Sequence, residues 1–527
     1  MMASTLQIIG IDLILVLLFG LTFKFMKNAF IINLIAILVL SLIFGYLQTD
    51  EILIYTLSMN LPLLFANTVL YVFLDKQTDS KADKKYQVHF KLKQKTFKIG
   101  NVRRGVSIIG SAGSGKTESV IYNFLQHFSK HIYCGIIHDY KDFELTEIAY
   151  PLFKNSDIPF YTIAFDEILY CVNPIAPRYL PNEESVNAVS KVLIENLLEQ
   201  NVSEVSGSSK FFTDAVEGLL SGLIWKLKTS YPNYCTLPHV IALFQAMDTK
   251  NLVAFLSSDL TSKAMASAFI NGIESEKQTA GVKSTLANAF KKISSQKIFT
   301  VLSKDQVPLD INNKKNQAVV SIVNNPKYDD VYSPIIATIM HTMIKQMSVR
   351  HQKSSFILME EAPTIKLLNM HRIPATLRSY DISTIYVMQD KIQNDMLYGD
   401  KASRAILSNL SYQFFGKVND PDTAKYYERF FEIVKAQTTS VNQGHNLNFD
   451  TRVTKGEKEV SKRRADVFFR LKLGEFIAFA DGKDQKVQFA LQDIQKEIPR
   501  PPYPFSEEET QMNFKRIHRE VQSLFGN

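Results

Sequence analysis

Gly110, Gly115, Lys116 and Thr117 stand at the spacing G-x-x-x-x-G-K-[ST], and each residue type meets a requirement of holding a polyphosphate. Glycines let backbone N–H groups close around an anion. A lysine reaches the β- and γ-phosphates, and a threonine hydroxyl is a ligand for Mg²⁺. Ser111, Ala112, Gly113 and Ser114 complete the loop and Glu118 follows it. Further on, the apolar run from Ile357 to Met359 meets two acids, Glu360 and Glu361. In a phosphoryl-transfer site the first acid supports Mg²⁺ and the second polarises the attacking water. Gln389 closes another apolar run, Ser383 to Met388, where its amide can sense a γ-phosphate or hold the water. ATP and Mg²⁺ are the cofactors this set implies.

Those residues need strands to carry them. Val106 to Ile109 reads as a buried strand, and Lys116 to His127 as a helix with Val120, Ile121 and Phe124 on one face, its positive end turned on the same anion. Tyr133 to Asp139, with Lys141 at its exit, is a second strand and Pro159 to Phe165 a third. Strand–helix–strand alternation with the phosphate loop at the first turn predicts a parallel α/β sheet. From Glu183 to Ser303 the period changes. Val186, Val189, Leu193 and Leu197, then Val216, Leu219, Leu220 and Leu223, recur at helical spacing, which predicts an inserted all-α domain with Phe211, Phe212 and Trp225 in its core. The sheet resumes at Ala318–Val323, Ser355–Glu361, Ser383–Met388, Tyr412–Val418 and Gly474–Ala480. Arg452 to Arg464, of both signs, reads as exposed. The proline-rich run from Pro499 to Pro504 ends the fold before a polar tail with a short helix from Glu507. The expected divisions are 1–75, 76–182, 183–303, 304–500 and 501–527.

The N-terminus differs in kind. Leu6–Phe23, Ala29–Leu47 and Ile52–Leu74 are apolar, the second and third long and uncharged enough to span a bilayer, while the first contains Asp12. No basic segment precedes them, which argues against a signal peptide. Lys24 and Lys27, Asp50 and Glu51, and Lys76 lie between or after them. With positive charge inside, this predicts an outside N-terminus, three transmembrane helices and a cytosolic body. The chain carries a net charge of +8, with a basic cluster from Lys81 to Arg104 that suits lipid headgroups, solvent or DNA. Cys134, Cys171 and Cys235 lack CxxC spacing, so neither zinc nor a disulfide framework is indicated.

The ordered set of motifs resembles that of TraG/TraD-type coupling proteins, the membrane ATPases of type IV secretion in bacterial conjugation. Matching stretches are the phosphate loop to Ser119, His138–Phe143, Cys171–Pro174, Ile357–Pro363, Leu377–Ser383, Tyr386–Asp390 and Ser408–Lys417. The resemblance implies a RecA-like P-loop NTPase sheet with a membrane-distal all-α domain. It also implies a homo-hexamer in the bacterial inner membrane that uses ATP to pass a relaxase bound to single-stranded DNA to secretion channel proteins. Arg378 is then implied to be an arginine finger, the alternative being a surface arginine paired with Asp381. Three spans where two are common, and Glu360 in place of Asp, depart from the pattern. An FtsK/HerA-like DNA translocase is the rival motor, disfavoured by the helical insertion and by the lack of an obvious DNA-reading module at the C-terminus. An ABC-type exporter would carry an LSGGQ-like signature. A non-hydrolysing nucleotide-binding scaffold is favoured by Glu360 alone.

Overall fold

The computed structural model describes residues 2–25, 28–47, 56–74, 84–93, 96–198, 207–443, 451–490, 492–501 and 503–525. Lys27, Asp50, Glu51 and Lys76, which orient the predicted spans, lie outside them, as do Lys81 and Lys95 of the basic cluster. The chain divides into a unit of residues 1–86 and one of residues 87–527.

The first unit holds helices Met2–Phe25, Ala29–Leu47 and Leu61–Leu74, the last entered through a π-turn, Thr56–Asn60. Phe19, Ile37, Met59 and Leu63 form a small core. Beside it lies a polar network: Thr22 Oγ1 donates to Asn33 Oδ1 (2.8 Å), and Asn33 Nδ2 donates to the buried Asn67 (3.1 Å). The outward faces are apolar, with Leu13, Leu17, Ile35, Leu38, Leu42 and Phe65 all exposed. Among the described residues no helix is long and apolar enough to cross a membrane.

The second unit is built on a nine-stranded sheet in the order β13-β12-β9-β3-β8-β7-β4-β6-β5. Its strands are β3 (Val106–Ile109), β4 (Cys134–Asp139), β5 (Phe160–Ile163), β6 (Val319–Val323), β7 (Ser355–Met359), β8 (Ile382–Met388), β9 (Tyr412–Phe415), β12 (Glu475–Ala480) and β13 (Lys483–Gln488). From β9 to β5 all neighbours run parallel; β12 and β13 are antiparallel additions at one edge. The parallel strands are covered on both faces, which is why β3, β4, β7 and β8 are buried throughout and read as unbroken apolar runs. On one face lie Phe124 and Phe128 of helix Tyr122–Lys130, together with the hairpin β1 (Val88–Lys91) and β2 (Thr96–Ile99). A further hairpin pairs β10 (Ile433–Gln443) with β11 (Thr451–Ser461), and β11 takes up most of the mixed-charge stretch to which the sequence reading assigned no strand.

Between β5 and β6 the chain is helical, from Glu183–Leu197 to Gln296–Val301. Asn182, Thr236, Asp248, Asp259, Ser275 and Ser295 each accept a backbone N–H at the start of a helix, so the breaks fall where short polar side chains occur. Trp225 and Phe212 pack against this core as expected, but Phe211 is exposed. The polar tail is corrected too. Glu507–Phe525 is a 19-residue helix with Thr510, Ile517 and Val521 buried, an apolar stripe thinner than the surrounding charge. It closes on the inserted helices: Phe514 meets Phe299 at 4.8 Å, Phe525 meets Tyr231 at 4.8 Å, and His239 Nε2 pairs with Glu520 at 3.0 Å.

Ile517→Ala should therefore cost about 2–5 kcal/mol in denaturant unfolding, the range for truncating a buried isoleucine. A change below about 0.5 kcal/mol, the scale of a surface substitution, would mean the last helix is not docked.

Candidate nucleotide site

β3 delivers the phosphate loop between its two neighbours. Gly110 N–H donates to Met388 O at the end of β8 (3.2 Å), and Ser111 N–H to Lys417 O just beyond β9 (2.7 Å). Gly113 and Gly115 adopt φ of 72° and 84°, the left-handed region that lets the loop curl. A Cβ on Gly115 would lie 3.0 Å from Leu473 Cδ1 and 3.1 Å from Gly474 N, whereas one on Gly113 would meet nothing within 4 Å. Gly474 N–H donates to Ser114 O (3.1 Å), so the turn into β12 braces the loop. Lys116, 8% exposed, bonds to Gly110 O (2.5 Å) and Ser111 O (3.3 Å). Burial pushes its ammonium pKa down, opposed by the charge of Glu361. Thr117 is half-buried, Ala112 and Glu118 are exposed, and Lys116–Ile121 forms a π-turn before the expected helix. The Ser114 hydroxyl is buried with no hydrogen-bond partner among the described residues. A loop with left-handed glycines, a lysine and an unsatisfied hydroxyl fits a polyphosphate.

The acids sit at the same pole. Glu360 and Glu361 are each 2% exposed. Glu360 N–H donates to His138 O (3.1 Å), and His138 Nδ1 donates to Glu360 O (2.9 Å), which fixes the backbone below the pair. Complete burial lowers the His138 pKa to about 4, so this imidazole is neutral. Glu361 has φ of 43°, a left-handed conformation costly for a residue with a side chain and of the kind that clusters at functional sites. Gln389 Nε2 donates to Glu361 Oε1 at 3.0 Å. Tyr140 N–H donates to Glu360 Oε2 (3.4 Å), and Lys141 Nζ stands 3.3 Å from Glu360 Oε1 and 3.8 Å from Glu361 Oε1. Burial, followed by the charge of Asp139, raises the Glu360 pKa to about 7, against the pull of Lys141. Burial also raises Asp139 to about 6, although Thr146 and the N–H groups of Lys141 and Leu145 hydrogen-bond to it.

Lys116, Glu360, Glu361 and Gln389 thus gather at the C-terminal ends of β3, β7 and β8, where ligands of open parallel sheets bind. Arg378 is not among them. It lies exposed in a 3₁₀ turn, Arg378–Tyr380, that leads into β8. The seven residues of β8 therefore separate it from Gln389, roughly 20 Å at about 3.3 Å per residue. Nor is Asp381 its partner: that carboxylate pairs with Arg103 at 3.7 Å. The sequence did not single out Lys141 as a site residue, although it stands at a strand exit, nor the Leu473–Gly474 turn, which reaches the loop only through the antiparallel edge.

Sheet order, phosphate loop and paired acids define a P-loop protein whose sheet resembles that of RecA-like NTPases. A family model described as the TraM recognition site of TraD and TraG matches residues 355–466, a span opening on the acid strand. Among solved structures, the unbound monoclinic form of the bacterial conjugative coupling protein TrwBΔN70 aligns at a TM-score of 0.62 and 12% identity, over 81% of this chain and 92% of its own. Plasmid coupling protein TrwB in complex with ADP and Mg²⁺ aligns at 0.59 and 12%, over 75% and 88%. TrwB with the GTP analogue GDPNP aligns at 0.60 and 10%, over 75% and 88%. No curated protein matches. Residues 355–466 match this TraD and TraG model, and the resemblance to TraG/TraD-type coupling proteins drawn from the motifs is borne out.

Gly115→Ala should weaken nucleotide binding at least tenfold in a fluorescent-nucleotide titration, and Gly113→Ala less, because only the former adds tight contacts with Leu473 and Gly474 to the φ penalty. Equal affinities would contradict this geometry of the loop.

Proposed function

We propose that this chain is a membrane-anchored ATPase that couples a relaxase–DNA complex to a type IV secretion channel and drives DNA transfer in conjugation. The observation that carries it is the acid pair. Glu361 is held by Gln389 at the end of a strand two places from the phosphate loop, within the segment that matches TraD and TraG. In this reading the loop N–H groups and Lys116 bind the β- and γ-phosphates of ATP. Thr117 and Glu360 would hold Mg²⁺, which neutralises charge on the phosphate oxygens. Glu361 polarises water against the γ-phosphate while Gln389 fixes its carboxylate. Arg378 is too far along β8 to reach its own subunit's site, so it serves a neighbour's in a homo-hexameric ring.

Membrane anchoring is supported by the N-terminal unit, which buries asparagines and turns leucines outward. That arrangement is unfavourable in water and suits lipid, where interhelical polar contacts hold helices together. Asn33–Asn67 is one such contact. We place this unit in the bacterial inner membrane and the remainder in the cytosol, with the inserted helices contacting cargo and single-stranded DNA passing through the ring. A scaffold that binds nucleotide without turnover is favoured by one feature, a glutamate at 360 where aspartate is usual, its carboxyl pushed up to about 7 by burial. Phosphate release in the presence of DNA decides between the two: a scaffold releases none.

Arg378→Ala and Lys116→Ala rings should each lose about 10³-fold or more in turnover, the scale of a finger supplied in trans. Rings shown to contain both variants should recover part of it, because an intact Arg378 can then face an intact phosphate loop. Failure to recover any would remove Arg378 from the site.

Glu360 also sets a pH dependence. Its pKa of about 7 means that kcat/KM for Mg·ATP, which reports the free enzyme, should fall about tenfold per unit below pH 7 as the acid protonates. A pH–rate profile flat to pH 5.5 would show that an ionised Glu360 is not required.

A further inference from the structure

Four acids crowd the exit of β4 and β7: Asp139, Glu144, Glu360 and Glu361. Among the described residues, the ammonium groups of Lys116 and Lys141 face the paired acids Glu360 and Glu361. Lys116 is committed to the carbonyls of Gly110 and Ser111. Among the described residues Lys141 alone bridges the pair, 3.3 Å from Glu360, 3.8 Å from Glu361 and 3.9 Å from Glu144. The chain goes to some length to place it there. Asp139 accepts the N–H groups of Lys141 (3.2 Å), Leu145 (3.1 Å) and Thr146 (2.7 Å), closing a tight turn around the lysine. Asp142 and Phe143 then take positive φ, 51° and 72°, two successive side-chain-bearing residues in the left-handed region. Phe143 is pinned in a small apolar cluster with Ala164, Leu169 and Val323, and Asp142 N–H is bonded to Asn324 O (3.0 Å). Strain of this kind persists only where surrounding contacts enforce it. What the strained turn presents is a single cation.

We propose that Lys141 is a built-in counter-ion of the acid pair, which a divalent cation must displace from Glu360. The proposal rests on the reading of Glu360 as the magnesium acid. Two adjacent carboxylates in a buried site repel one another and require compensating positive charge. Lys141 supplies it from within the chain, so a free divalent ion meets a pair already compensated. A cation arriving with a nucleotide brings further contacts at the phosphate loop, enough to release the lysine to Glu144. Lys141 thereby makes metal binding depend on nucleotide.

Binding of Mn²⁺ to the full chain without nucleotide, followed by the loss of free-ion electron paramagnetic resonance signal, tests this directly. Lys141→Met should bind Mn²⁺ at least tenfold more tightly than wild type, and Lys141→Gln should do the same if the methionine variant fails to fold. Lys141→Arg should remain as weak as wild type, since it keeps the charge. Added ATP should tighten Mn²⁺ binding strongly in wild type and much less in Lys141→Met. Equal or weaker Mn²⁺ affinity in a Lys141 variant with a wild-type melting profile would overturn the counter-ion role. Absence of phosphate release by wild type would instead count against the ATPase reading, and the two failures are separately visible.

Discussion

Two neighbouring carboxylates kept almost wholly from solvent are the constraint to which the rest of this molecule answers. Glu360 and Glu361 end the strand β7, and burying either charge unpaired would cost several kcal/mol. Each carboxylate is therefore held. Gln389 donates to Glu361 from the adjacent strand end, and Tyr140 and Lys141 reach Glu360 from the exit of β4. The neutral His138 fixes the carbonyl beneath them. These supports come from strands that neighbour β7 on either side, so the site exists only if the strand order is correct.

That order also creates the space for chemistry. β3 and β7 are not adjacent, because β8 lies between them. At about 4.8 Å per strand the phosphate loop and the acids are set roughly 10 Å apart across the sheet. A pair in adjacent strands would leave too little room between loop and carboxylates for a phosphate and its cation. The intervening strand contributes Gln389 at its end and anchors Gly110 through Met388 O, so one strand both spaces the site and ties its halves.

The two units solve opposite burial problems. In residues 87–527 apolar side chains face inward, and even the last helix gives up Ile517 and Val521 to the inserted domain while its charges stay outside. In residues 1–86 the polar side chains of Asn33 and Asn67 are inside and much of the exterior is apolar.

The sequence alone determined the chemistry-bearing residues that are local in the chain. The phosphate loop is legible because glycines and a lysine must occur at fixed spacing to wrap an anion, and the parallel strands because burial on both faces makes them continuously apolar. The inserted helices are legible from their period, while the caps that separate them, such as Asn182 and Ser275, emerged only in the structure. Only the tertiary structure decided the rest. Lys141 is one lysine among many until β4 and β7 pair and bring it against acids more than two hundred residues away. The last helix shows so narrow an apolar stripe that its sequence looks like a solvated tail until Phe299 and Tyr231 supply its partners. Arg378 reads as an active-site residue in a motif list, yet the direction of β8 carries it to the far end of the strand. Contacts between distant segments leave no mark on local spacing, and they are what turn a phosphate loop and a pair of acids into one site.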